Sequence, residues 1–137
     1  MDFAPSANQE SIRDAVARIC AHFDDAYWLK KDKEGGFPAD FHKALVDAGW
    51  LGICIPEVYG GLGLGIVEAA IMMRTIAESG AGMSGASAIH MNVFGLNPVV
   101  VFGTKEQCRR MLPGIVDGTE KSCFAVPNPI PGSIPHN

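Results

Sequence analysis

At 137 residues, with 47% hydrophobic and 19% charged side chains, the chain supports one domain and a short tail, and part of its apolar surface is expected to meet another domain or partner. A formal net charge of −4 with no basic run argues against nucleic acid as a partner. Each apolar run reads as interrupted by a charged residue or Gly before it reaches membrane-spanning length, and Met1-Asp-Phe-Ala-Pro-Ser lacks the layout of a signal peptide.

The cytoplasm is therefore the default compartment, and a mitochondrial matrix protein stripped of its leader would read the same way. Cys20, Cys54, Cys108 and Cys123 are widely spaced, form no metal-binding pair, and are read as buried free thiols.

The first helix is expected after Ser6, with Gln9 completing a capping box and Ile12, Val16, Ile19, Cys20 and Phe23 forming an apolar stripe. It is expected to end in a charged, Gly-rich loop near Lys30 to Gly36. Pro38 opens a second helix whose face carries Phe41, Ala44, Leu45 and Ala48, and Gly49 suits its C-terminal cap. A third helix is predicted over Ile66–Ser79, apolar on much of its circumference and so buried on more than one side. Gly80 to Gly85 reads as a turn, followed by a fourth helix from Ser84 to Phe94.

Val99-Val-Val-Phe102 has strand propensity. Asn97 as a cap, Pro98 in the first turn and Gly103 beyond favour a short helix instead. Thr104 with Gln107 predicts a second capping box, and Pro113 is expected to break or kink the helix it starts. Ser122 to Val126 reads as a short strand. Residues 127–137 hold four of the nine prolines and read as an extended, disordered tail. The predicted class is all-α, a bundle of five to six helices.

Two glycine patterns invite ligand readings. Gly80-Ala-Gly82-Met-Ser-Gly85 spells the dinucleotide fingerprint, but that motif needs a strand before it, and a helical run precedes it here. A helix–helix turn is the expected outcome. The segment Tyr59 to Gly65 holds four glycines within six residues but lacks the Gly-Lys-Ser/Thr ending of a phosphate loop, so it reads as a shaped structural turn. His90 lies in Ala88-Ile-His-Met-Asn-Val-Phe94; a single His among apolar neighbours reads as a hydrogen-bonded core group. Glu57, Glu68, Glu78 and Glu106 are dispersed and read as solvated carboxylates.

Ile53-Cys-Ile-Pro-Glu-Val-Tyr-Gly-Gly-Leu-Gly-Leu-Gly65, with Gly103-Thr-Lys-Glu-Gln107 and Leu112-Pro-Gly-Ile-Val-Asp-Gly118, resembles the N-terminal helical domain of the acyl-CoA dehydrogenases from about Ile12 to Val126. In that family a glutamate base takes the α-proton of an acyl-CoA thioester while a β-hydride passes to FAD, in a site built from an N-terminal helical domain, a middle β-domain and a C-terminal bundle. The resemblance implies a helical domain over 1–121, the start of the middle domain over 122–126, and a tail over 127–137. It implies that Ala86, Ser87, His90 and Phe94 face the acyl chain, with His90 towards its far end, and that Phe124, Ala125 and Val126 are flavin neighbours.

After Val126 the family continues with Thr-Glu-Pro, and this chain reads Val126-Pro127-Asn-Pro. The resemblance therefore implies a chain with no catalytic residue of its own, retaining no FAD, with the other two domains as missing partners and a tendency to self-associate. Two alternatives share the sequence: one chain of a split dehydrogenase, and a non-catalytic helical interaction module.

Overall fold

Ser6 and Gln9 form the predicted capping box, and from it α1 runs over Ala7–Cys20. Gln9 also reaches across the fold: its amide nitrogen donates to Glu68 Oε1 at 3.2 Å, while Glu68 Oε2 accepts from the Gly65 backbone at 3.1 Å. One side chain thus ties the start of α1 to the start of α4 (Ile66–Ile76). Those bonds to the charged form, the one from Gln9 first, hold the Glu68 carboxyl below its ordinary pKa. The computed structural model describes residues 4–123.

The remaining helices are α2 (Asp25–Glu34), α3 (Ala39–Asp47), α5 (Gly82–Phe94), α6 (Asn97–Phe102) and α7 (Lys105–Val116). Residues Ile66–Phe102 run as one broken rod of 37 residues, so the bundle has five main helical pieces. By length and composition alone that rod is long and apolar enough to cross a membrane, but Gly80 breaks it at φ +91°, in keeping with the reading that a glycine interrupts the apolar run. Its inner face is the core of this bundle: α1 lies along α4, and Met72, Ile76 and Ile89 are fully buried.

The main core joins Ile12, Val16 and Cys20 of α1, Phe41 and Leu45 of α3, Met72 and Ile76 of α4, and Ile89 and Val93 of α5. At one end Phe23, Tyr27, Trp28 and Phe41 stack edge to face, with ring centroids 5.0–5.3 Å apart. Trp28 Nε1 donates to the Phe23 carbonyl at 3.0 Å. That cluster explains α2, which the sequence reads as the end of one long first helix. The chain breaks after Cys20, Asp24 caps a new helix by accepting from the Tyr27 backbone, and α2 turns Trp28 inward. A smaller second core gathers Ile55, Cys108, Leu112 and Ile115 around α7.

Three further local expectations shift. The turn expected over Gly80 to Gly85 narrows to a wide helical turn, Ala77–Ala81, where Gly80 adopts φ +91°. A side chain at Gly80 would be strained and would press on Asp25. α6 forms as predicted against its strand propensity, with Leu96 rather than Asn97 as its cap. Pro113 does not stop α7, because its neighbours Leu112 and Ile115 are both essentially buried and packing holds the last turn.

Ser122 and Cys123 lie in no strand; the rest of the strand predicted over 122–126, the flavin neighbours Phe124, Ala125 and Val126, and the 127–137 tail fall outside the described residues. All four cysteines are free, but only Cys20 and Cys108 are buried; Cys54 is half-buried and Cys123 exposed.

Candidate functional site: the open face of α5

Gly52 to Gly65 builds a closed loop, not a phosphate cradle. The backbone amides of Leu62, Gly63 and Leu64 donate to the carbonyls of Gly52, Ile55 and Ile53 at 2.8–2.9 Å, so they are not free to meet an anion. Gly61 packs directly on Ile55, whose carbonyl oxygen a Cβ there would collide with. Likewise Gly80 to Gly85 follows a helix, so the geometry of a dinucleotide fingerprint is absent.

The site candidate is the outer face of α5. Ser87, His90 and Phe94 recur at helical spacing and form one row, which Met83 extends at the N-terminal end. His90 and Phe94 are in ring contact, centroids 5.0 Å apart and planes tilted by 46°. His90 Nδ1 lies 3.2 Å from the Ser87 carbonyl oxygen. Met83 is 77% exposed and Phe94 42%, and beyond them Val101 and Phe102 of α6 are 58% and 86% exposed. Ala86 sits at the flank of the row and is buried. The structure thus brings three of the four residues named from sequence into one surface row, with the fourth beneath its edge.

This face is apolar with one imidazole and one hydroxyl, a surface suited to lie along an alkyl chain or another domain and to set one polar limit. Among the described residues it is one wall and supplies no cradle for a flavin, so no redox step is assigned to these side chains.

On the opposite side of α5 lies a polar cluster that sequence reasoning passed over. His42 and Asn92 are 5% and 4% exposed, with Asn92 Nδ2 3.3 Å from His42 Nε2. Asn92 Oδ1 accepts from the Ser122 backbone N–H at 3.0 Å, and the Ser122 hydroxyl donates to the Met91 carbonyl. Burial, and secondarily the charge of Lys121, push the His42 pKa below its ordinary 6.5. The buried, hydrogen-bonded histidine expected at His90 is in fact His42. The signal was a polar residue directly after Phe41 on the apolar face of α3, matched by Asn92 inside an apolar helix.

Residues 6–119 match the family described as acyl-CoA dehydrogenase, N-terminal domain, and the chain belongs to that family. It is 33% identical over 138 residues to the acyl-CoA dehydrogenase FadE12 of Mycobacterium tuberculosis, covering 98% of this chain and 34% of that protein. It is 31% identical over 134 residues to an acryloyl-CoA reductase (NADH) of Anaerotignum propionicum, covering 97% of this chain and 33% of that protein. A solved chain from work on the electron transferring flavoprotein of Acidaminococcus fermentans superposes with a TM-score of 0.72 at 27% identity, over 88% of this chain and 32% of that one. The chain thus spans about a third of the length of the relatives it matches.

Proposed function

We propose that this chain supplies the acyl-facing helical wall of a FAD-dependent acyl-CoA dehydrogenase and is inactive without the domains that carry the flavin and the base. The observation that carries the reading is the exposed row of Met83, Ser87, His90 and Phe94, continued by Val101 and Phe102. A helix this apolar with one face left in water is shaped to be covered. In this reading the acyl chain runs along the row, the imidazole of His90 limits its length, and the segment beginning at Phe124 approaches the flavin.

The test is a titration of the 137-residue chain with saturated acyl-CoA thioesters of increasing length, followed by NMR. Selective shifts at Ser87, His90 and Phe94 that grow with chain length support the reading. Shifts spread over the whole surface, or none at those three residues, overturn it. Purification without added FAD is expected to give a colourless protein with no acceptor-dependent turnover; about one flavin per chain together with turnover would refute inactivity.

A further inference from the structure

The C-terminal turn of α5 is built to receive residue 122. Asn92 Oδ1 takes the Ser122 N–H at 3.0 Å, and the Met91 carbonyl takes the Ser122 hydroxyl. A Cβ on Gly95 would stand 2.5 Å from Ser122 Oγ, so the glycine is what lets residue 122 come this close.

The partners of Asn92 fix its orientation. A backbone N–H can only donate, so the atom facing Ser122 is the carbonyl oxygen. The amide nitrogen then faces the Ala88 carbonyl at 3.5 Å, which can only accept, and His42 Nε2 at 3.3 Å. His42 Nε2 must therefore present its lone pair, with the ring neutral and its proton on Nδ1. A protonated His42 would set N–H against N–H. Turning the amide over would relieve that clash but would set its NH2 against the Ser122 N–H and give up Ala88. Either way the cluster loses hydrogen bonding when His42 is charged.

We propose that Asn92 is a positioning residue that seats the backbone of residue 122, and that the seat holds only while His42 is neutral. The groups facing His42 are few. Asn92 meets it from α5, the Phe37 ring lies 5.2 Å away, and Lys121 of the exit segment places its ammonium over that same ring at 5.0 Å. On α3 itself Lys43 is paired with Asp47 at the exposed surface. Burial and the Lys121 charge both favour the neutral ring, so the seat is closed near neutral pH. The sign follows from linkage. With the folded pKa below 6.5, the unfolded chain binds the proton more readily, so this contribution is complete above 6.5 and is lost as pH falls through the folded value. The seat does not depend on the acyl-CoA dehydrogenase reading; within it, the seat sets where the segment starting at Phe124 leaves the helical domain.

The experiment is site-resolved hydrogen exchange at the Ser122 amide of the 137-residue chain, corrected for the intrinsic rate, with an NMR titration of His42. At about pH 8 the Ser122 amide is expected to be protected at least about tenfold, with protection falling as His42 titrates. Asn92→Leu is expected to lose the protection at every pH while the helical circular dichroism is kept. His42→Gln offers an acceptor that does not titrate, so protection is expected to persist to acid pH. Exchange of Ser122 at the unprotected rate near pH 8 would overturn the seat. Acid release that is the same in His42→Gln as in the parent would overturn its dependence on His42. If Asn92→Leu does not fold, the parent and His42→Gln profiles decide both points.

Discussion

His42 meets the inner face of α5 and His90 stands on its outer face, and the difference between them separates what holds the molecule together from what it presents. On the inner face, His42, Ile89 and Asn92 are all buried, the Asn92 amide bonds both His42 Nε2 and the Ser122 backbone, and substitutions are expected to act on stability. On the outer face, His90 touches Phe94 and its own helix turn, and Met83, Phe94, Val101 and Phe102 stand in water. Substitutions there are expected to act on what the molecule meets.

The largest expected effect sharpens the contrast on the inner face. Ile89 of α5 is fully buried in the main core, so Ile89→Ala removes three carbon atoms from a packed site and leaves a cavity. Urea unfolding should show a loss of about 2–5 kcal/mol. A loss below about 0.5 kcal/mol would mean the inner face is not the organising core. The closed loop comes next. Gly61→Ala forces a methyl group into the Ile55 carbonyl, and the three loop hydrogen bonds around it must shift, for an expected cost of about 1–3 kcal/mol. Equal stability of the variant and the parent would show that the loop is not packed as described.

A smaller effect tests the corner that carries the open face of α6. Thr104 accepts from the Gln107 N–H at 3.2 Å and receives the Gln107 side chain on its own N–H at 2.8 Å. Thr104→Ala should lower stability by about 1 kcal/mol, and Thr104→Ser should largely restore it.

The elements that the sequence made legible are those whose signal is local. Ser6 with Gln9 and Thr104 with Gln107 each place a helix start to the residue, because a capping box is read within four positions. The Leu96–Phe102 corner was also readable, since proline and glycine outweighed three valines. What was not legible depends on partners far along the chain. α2 is separate because Trp28 meets Phe41, and nothing near Lys30 announces that. Pro113 is tolerated because Leu112 and Ile115 are anchored by the second core. Of the site, the family resemblance and no local pattern named Ser87, His90 and Phe94, which the structure sets in one row on α5. The cluster of His42, Asn92 and Ser122 joins positions 30 to 50 residues or more apart, which no local pattern reveals.

The smallest expected change in stability carries the most information about the outer face. Phe102 is 86% exposed and has little to lose on truncation, so Phe102→Ser should change the unfolding free energy by no more than about 0.5 kcal/mol. Phe94 is 42% exposed and stacks on His90, so Phe94→Ser should cost somewhat more, within the ~0.5–1.5 kcal/mol that an aromatic pair contributes. Association should respond in the opposite proportion. Apolar area left in water is worth about 25 cal/mol per Å² once covered, so two copies gain by meeting through this face. The parent chain is expected to bind a hydrophobic dye and to scatter light as oligomers at high concentration. The double variant should lose most of both signals while melting almost as the parent does. A parent that stays monomeric and leaves the dye unbound would break the comparison: the outer face would then be a finished surface, and the reading of the chain as a self-sufficient helical interaction module would gain over that of a wall awaiting its acyl chain.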